Sequence, residues 1–268
     1  MARSQAVHIP VGQVTLDADL ATPATRRGIV VFAHGSGSGR KSPRNREVAH
    51  RLQEHGFGTL LLDLLAAAEV PVDELTGEYR FNIELLSERL VAATDWLVRQ
   101  PGCEKLLLGY FGASTGGAVA MVGAAQRPNL VAAIVLRGAR TDLGDRVASQ
   151  IRCPTLVLVG GADPSILHLN RRTLQLLSCV RELAVIPGAT HLFEEPGALD
   201  RVADLAVSWF ERHLRQRDGY VARSPPTLAA IGTGPERARN QVRMKCGASQ
   251  GNSKVISTRP ATLRPFFQ

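Results

Sequence analysis

The sequence predicts an α/β fold: a mostly parallel central sheet, helices on both faces and no cap domain. Three observations predict it. Short apolar runs alternate with amphipathic stretches along the first 217 residues, the pattern of strands joined by crossover helices. Gly112-Ala113-Ser114-Thr115-Gly116 joins one such run to a stretch of small apolar residues, which reads as a buried strand, a sharp turn and a buried helix. Only about 17 residues separate the run ending near Leu136 from the one starting near Pro154. That is room for one short helix and too little for an inserted cap.

The elements follow in order. A short β segment near Val14–Leu20 precedes strands at about 28–33, 58–63, 105–111, 131–136, 154–160 and 182–186. Ser42-Pro43 opens the first helix, with a serine N-cap and proline at the first helical position. Ile83, Leu86, Leu90, Ala93 and Leu97 step by three and four, a helical stripe. Leu199, Val202, Leu205, Ala206, Trp209 and Phe210 mark one face of a closing helix. The segment Leu64 to Arg80 is the longest connection near the C-terminal edge of the sheet. Open α/β sheets bind ligands at that edge, so it is expected to form part of a site wall.

Charge divides the chain. The whole carries a net +8, but residues 218–268 hold eight Lys/Arg against two Asp/Glu, leaving the first 217 residues near neutral. Domain 1–217 is therefore read as the folded body. The basic tail 218–268, rich in Ser, Thr, Gly, Pro and Arg and without an apolar period, is read as disordered. Its basic character alone is a poor nucleic-acid signal, because no aromatic residues interleave the charges. No run approaches signal-peptide or membrane-span length, and Cys103, Cys153, Cys179 and Cys246 show no metal spacing. Free thiols without an export signal point to a reducing cytoplasm, and no cofactor or metal is implied.

The chemistry gathers at strand ends. Ser114 sits at the tightest turn, flanked by small residues that let the chain bend there. Asp163 follows the run Thr155–Gly161, and His191 ends the turn Pro187-Gly188-Ala189-Thr190-His191 after the last strand. A serine hydroxyl is a weak nucleophile at neutral pH. It needs a base to take its proton, and the base needs a carboxylate to fix its tautomer. The order Ser114, Asp163, His191 supplies all three. Phe32-Ala33-His34-Gly35-Ser36-Gly37-Ser38-Gly39 reads as a strand running into a glycine-rich loop. The backbone N–H groups of Ser36 and Thr115 are the candidate oxyanion donors.

Rivals stand beside these readings. Asp142, after the preceding strand, is the alternative acid. Glu194 and Glu195 are expected to charge the start of the last helix. His34 is expected to fix the glycine loop, His168 to lie on a helix, and Asp63 to cap a turn. Arg40, Lys41, Arg44 and Arg80 have a surface reading and a second one as holders of an anionic substrate.

Taken together, these motifs resemble the α/β-hydrolase fold, in particular the cap-less hydrolases related to dienelactone hydrolase, over about Val14 to Leu214. The resemblance rests on the glycine loop, on Gly109–Gly116, on Val159-Gly160-Gly161-Ala162-Asp163-Pro164 and on Gly188-Ala189-Thr190-His191-Leu192-Phe193. It implies a hydrolase acting on a small-molecule ester, lactone or thioester. The nucleophile differs from dienelactone hydrolase proper, which has a cysteine where Ser114 stands here. One branch of the family is fused to, or encoded beside, phosphoribosyltransferases, which implies such a partner. Two further readings are a peptidase or amidase with the same triad, and a binding protein that has lost turnover.

Overall fold

A computed structural model describes residues 4–22 and 27–214. The basic tail, the proposed boundary at residue 217 and Cys246 lie outside the described residues. Eight strands form one sheet in the order β1-β2-β4-β3-β5-β6-β7-β8. The strands are β1 (Ser4–Val11), β2 (Val14–Ala21), β3 (Ile29–Ala33), β4 (Gly58–Leu62), β5 (Leu108–Ala113), β6 (Val131–Arg137), β7 (Thr155–Gly160) and β8 (Arg181–Ile186). β2 pairs antiparallel with both β1 and β4, and every pairing from β4 to β8 is parallel. The fold is an α/β-hydrolase fold.

The central strands β3, β4 and β5 are buried at every residue, which is why they read as continuous apolar runs without alternation. β1 differs. Its burial pattern is mostly exposed, and its sequence Ser-Gln-Ala-Val-His-Ile-Pro-Val has no clean period. It forms by hairpin pairing with β2 across Gly12, whose φ of +58° closes the turn. That partner-dependent strand is the one the apolar pattern misses. β5 also starts later than the apolar run does, because residues 101–105 form a turn.

Helices α1 (Pro43–Glu54), α2 (Val70–Thr76), α3 (Ile83–Leu97), α4 (Thr115–Gln126), α5 (Pro164–Leu176) and α6 (Ala198–His213) fill the connections. The Ser42 side chain accepts the Asn45 N–H and Asn82 that of Leu85, which caps α1 and α3. One apolar cluster packs α3 and α4 against Val31, Tyr110, Ile134 and Val157. A second packs α1 and α6 against Val30, Phe32, Phe111 and Val135. Alternation along each strand sends successive side chains to these two faces. Between β6 and β7 stands a single 3₁₀ segment, Thr141–Gln150, and no cap.

The segment after β4 holds the short α2, which the sequence pattern did not show. Its ends are tied down by ion pairs. Arg89, on α3, donates to both Glu69 carboxylate oxygens and to the Leu64 carbonyl. Asp73 accepts the backbone N–H groups of Tyr79 and Arg80 and the Arg80 guanidinium. Burial alone would raise the Asp73 carboxyl, but these donors outweigh it and hold it below its ordinary range. No helix among the described residues is long and apolar enough to cross a membrane.

Candidate active site

Strand order brings the chemistry to one edge. The glycine loop leaves β3, Ser114 leaves β5, Asp163 leaves β7 and His191 follows β8, all at the C-terminal ends of parallel strands. β6 lies between Ser114 and the other two. Its chain continues into Gly138, with φ +52°, and a side chain there would meet the His191 ring at 3.5 Å. The low profile at Gly138 lets His191 reach across β6.

Ser114 takes φ 51° and ψ −122°, a combination that costs a non-glycine residue energy. The turn is held on both sides. The Ser114 N–H donates to the Arg137 carbonyl at 3.1 Å, and its own carbonyl accepts from Gly117 and Arg140. Gly116 must lack a side chain, because a Cβ would stand 2.1 Å from the Ala33 carbonyl oxygen. Close approach of α4 to the end of β3 thus depends on that residue. It brings the first turn of α4, with its unpaired N–H groups, against the glycine loop.

The three side chains form one line. His191 Nδ1 lies 2.7 Å from Asp163 Oδ2, and His191 Nε2 lies 3.3 Å from Ser114 Oγ. An ionised carboxylate only accepts, so Nδ1 carries the proton and Nε2 is left to accept from the hydroxyl. Asp163 is also the N-cap of α5, its Oδ1 accepting the Ile166 N–H at 3.3 Å. The cap fixes one carboxylate oxygen while the other faces His191.

His34 is buried and neutral. The Leu64 N–H donates to its Nε2 at 2.9 Å, so the proton sits on Nδ1, which donates to the Gly35 carbonyl at 2.9 Å. Burial is the main cause that lowers its pKa. It therefore pins the glycine loop to the segment after β4. The Ser36 N–H donates to Thr115 Oγ1 at 2.8 Å. The two candidate oxyanion residues are thus joined by a side chain that sequence reasoning did not weigh.

The rivals are engaged elsewhere. Asp142 is held by both Arg140 nitrogens at 2.9 Å, and the Arg140 hydrogen bond is the main cause that lowers its carboxyl. Arg40 faces Asp17, Asp19 and Asp63, Arg44 pairs with Glu194, and Arg80 with Asp73. Asp63 accepts the Arg40 N–H, as a turn cap would, and His168 lies exposed on α5. Glu194 and Glu195 do not charge the start of α6 as expected. Glu194 reaches Arg44, Glu195 accepts the Thr190 N–H, and the acid in the first turn of α6 is Asp200. Among the described residues, no group of three or more His, Cys, Asp or Glu is placed to hold a metal ion.

The sequence matches the model of the dienelactone hydrolase family over residues 16–214. The crystal structure of dienelactone hydrolase from Anabaena variabilis is 50% identical, with a TM-score of 0.79 over 80% of this chain and 99% of that one. Est1E from Butyrivibrio proteoclasticus shares the fold at 15% identity, with a TM-score of 0.66 over 77% of this chain and 98% of its own. A Mycobacterium tuberculosis (strain H37Rv) protein named as a phosphoribosyl transferase is 48% identical over 212 residues. That match covers 79% of this chain and 47% of the relative, so this chain spans about half the length of the curated relatives it matches.

Proposed function

Because the chain belongs to the dienelactone hydrolase family, we propose that it is a serine hydrolase that cleaves a carboxylic ester, lactone or thioester of small to medium size through an acyl-enzyme. The observation that carries this reading is the unbroken line from Asp163 through His191 to a serine held in a strained strand-to-helix turn. In this reading His191 Nε2 takes the proton as Ser114 Oγ attacks the carbonyl carbon. The developing oxyanion meets the Thr115 N–H and shares the Ser36 N–H with Thr115 Oγ1. Collapse of the adduct expels the alcohol or thiol, protonated by His191. Water, deprotonated by the same histidine, then releases the acid and restores Ser114. One oxyanion donor lowers the barrier by about 3–4 kcal/mol in a site built this way.

Hydrolysis is favoured over phosphoribosyl transfer by where the similarity lies. The relative that carries the transferase name is matched over 47% of its length, and the matched part of this chain overlaps the hydrolase family region. Paired substrates test the proposal. p-Nitrophenyl acetate is expected to turn over and p-nitroacetanilide to do so far more slowly, with both rates lost in Ser114→Ala. Faster anilide cleavage would make the chain an amidase. No turnover of either would make it a binding protein that keeps the fold.

A further inference from the structure

Arg137 ends β6 on the face that α1 and α6 cover, the face Ala133 and Val135 also take. It is only 8% exposed, and its Nη1 is enclosed without a hydrogen-bond partner. Among the described residues its guanidinium makes no hydrogen bond and no ion pair. Its neighbours make this more costly. The Phe193 ring lies 6.0 Å from it, and the adjacent charge is another cation, Arg44. Burial, with a lesser contribution from Arg44, pulls its pKa down to about 10, so it stays protonated at neutral pH. Arg44 has an enclosed, unpartnered Nε of its own, and its Nη1 donates to the exposed Glu194. A desolvated cation without a counter-charge is destabilising well beyond what one ring contact returns. A planar guanidinium with unmet donors matches an oxyanion in both charge and shape.

We propose that Arg137 and Arg44 form a subsite for a small oxyanion, a carboxylate or phosphate group, between α1 and the segment that carries His191. The binding stands on burial and unmet donors alone. Its use in catalysis rests on the serine hydrolase reading. The subsite touches the candidate machinery at several points. The Arg137 carbonyl accepts the Ser114 N–H, the next residue, Gly138, lies against the His191 ring, and Phe193 follows His191 by two residues. The oxyanion comes either on the substrate or as a free ion that sets the His191 segment. Glu195 is the competing internal ligand. Its Oε2 is enclosed without a partner, while its Oε1 is taken by the Thr190 N–H.

Calorimetric titration of the full chain with inorganic phosphate and with acetate, at constant ionic strength in chloride, tests the binding. It is run on wild type and on Ser114→Ala, so that loss of turnover cannot mask it. Saturable binding is expected in both, weakened about tenfold or more in Arg137→Gln, as loss of a charged hydrogen-bond partner costs. Arg44→Gln and Arg137→Lys should weaken it less, and they keep the test open if Arg137→Gln does not fold. Matched esters identify the source. With a substrate-borne anion, p-nitrophenyl succinate exceeds p-nitrophenyl butyrate in kcat/KM, and the ratio collapses in Arg44→Gln. With a free anion, the two esters respond alike to added phosphate. No binding of either anion by wild type, or binding that Arg137→Gln retains, overturns the subsite and leaves Glu195 as the ligand. Anion binding without ester hydrolysis would sink the hydrolase reading alone.

Discussion

Asp163 divides one carboxylate between two tasks. Oδ1 caps α5 through the Ile166 N–H, and Oδ2 faces His191 Nδ1. An amide at this position keeps the shape but presents a donor toward Nδ1 in one orientation, which favours the wrong histidine tautomer. Asp163→Asn is therefore expected to lower kcat by a factor on the order of 10²–10⁴ with the enzyme still folded. Asp142→Asn should cost less than about tenfold, because Asp142 is spent on Arg140. Steady-state kinetics on both variants, with circular dichroism as a fold check, decide between them. A crippled Asp142→Asn beside a near-normal Asp163→Asn would move the acid one strand earlier. At this scale Ser114, Asp163 and His191 were legible because each follows a strand in a recognisable order. The fate of the arginines was not. Whether Arg40 or Arg80 meets substrate or an Asp depends on pairings 7 to 46 residues apart that no local pattern encodes.

Among the elements, the connection between β6 and β7 shapes the site by its brevity. One 3₁₀ segment stands where a helical cap would need many more residues. Little apolar surface is then available to enclose a long acyl group, and a buried methylene contributes about 0.8 kcal/mol only when fully covered. Acetyl to butyryl esters should give higher kcat/KM than lauroyl or palmitoyl ones. A preference for palmitoyl esters would point to the segment after β4 as a cover. That segment presents Val70, Val72, Leu75 and Phe81 to solvent, and Leu75 is 90% exposed. The helix α4 shows why a pattern can be clear in one respect and silent in another. Thr115 to Ala124 are all buried, so no amphipathic period exists to mark which face meets what. Its position was legible from the serine turn alone.

Across the molecule, two apolar clusters on opposite faces of one sheet hold the strand ends in register. Phe210 belongs to the α6 side, fully buried, and a Cβ added at Gly109 would come within 2.5 Å of its ring. Phe210→Ala is expected to lower stability by about 3–5 kcal/mol. Urea unfolding measures it, and kcat per folded molecule should change little because the ring lies far down β5 from Ser114. A selective loss of kcat at unchanged stability would contradict that separation of core from site. The alternation of strands and helices carried the architecture in the sequence, since parallel strands buried on both faces must be apolar throughout. The exposed hairpin strand β1 was not readable, because pairing with β2 makes it a strand and its own residues do not. The account as a whole rests on Ser114 being the nucleophile. Reaction of the full chain with a fluorophosphonate, followed by intact mass and peptide mapping, tests that most directly. One adduct on Ser114, absent from Ser114→Ala and much slower to form in His191→Ala, is the predicted result. No adduct, or an adduct on another residue with Ser114→Ala still hydrolysing esters at the wild-type rate, would contradict it.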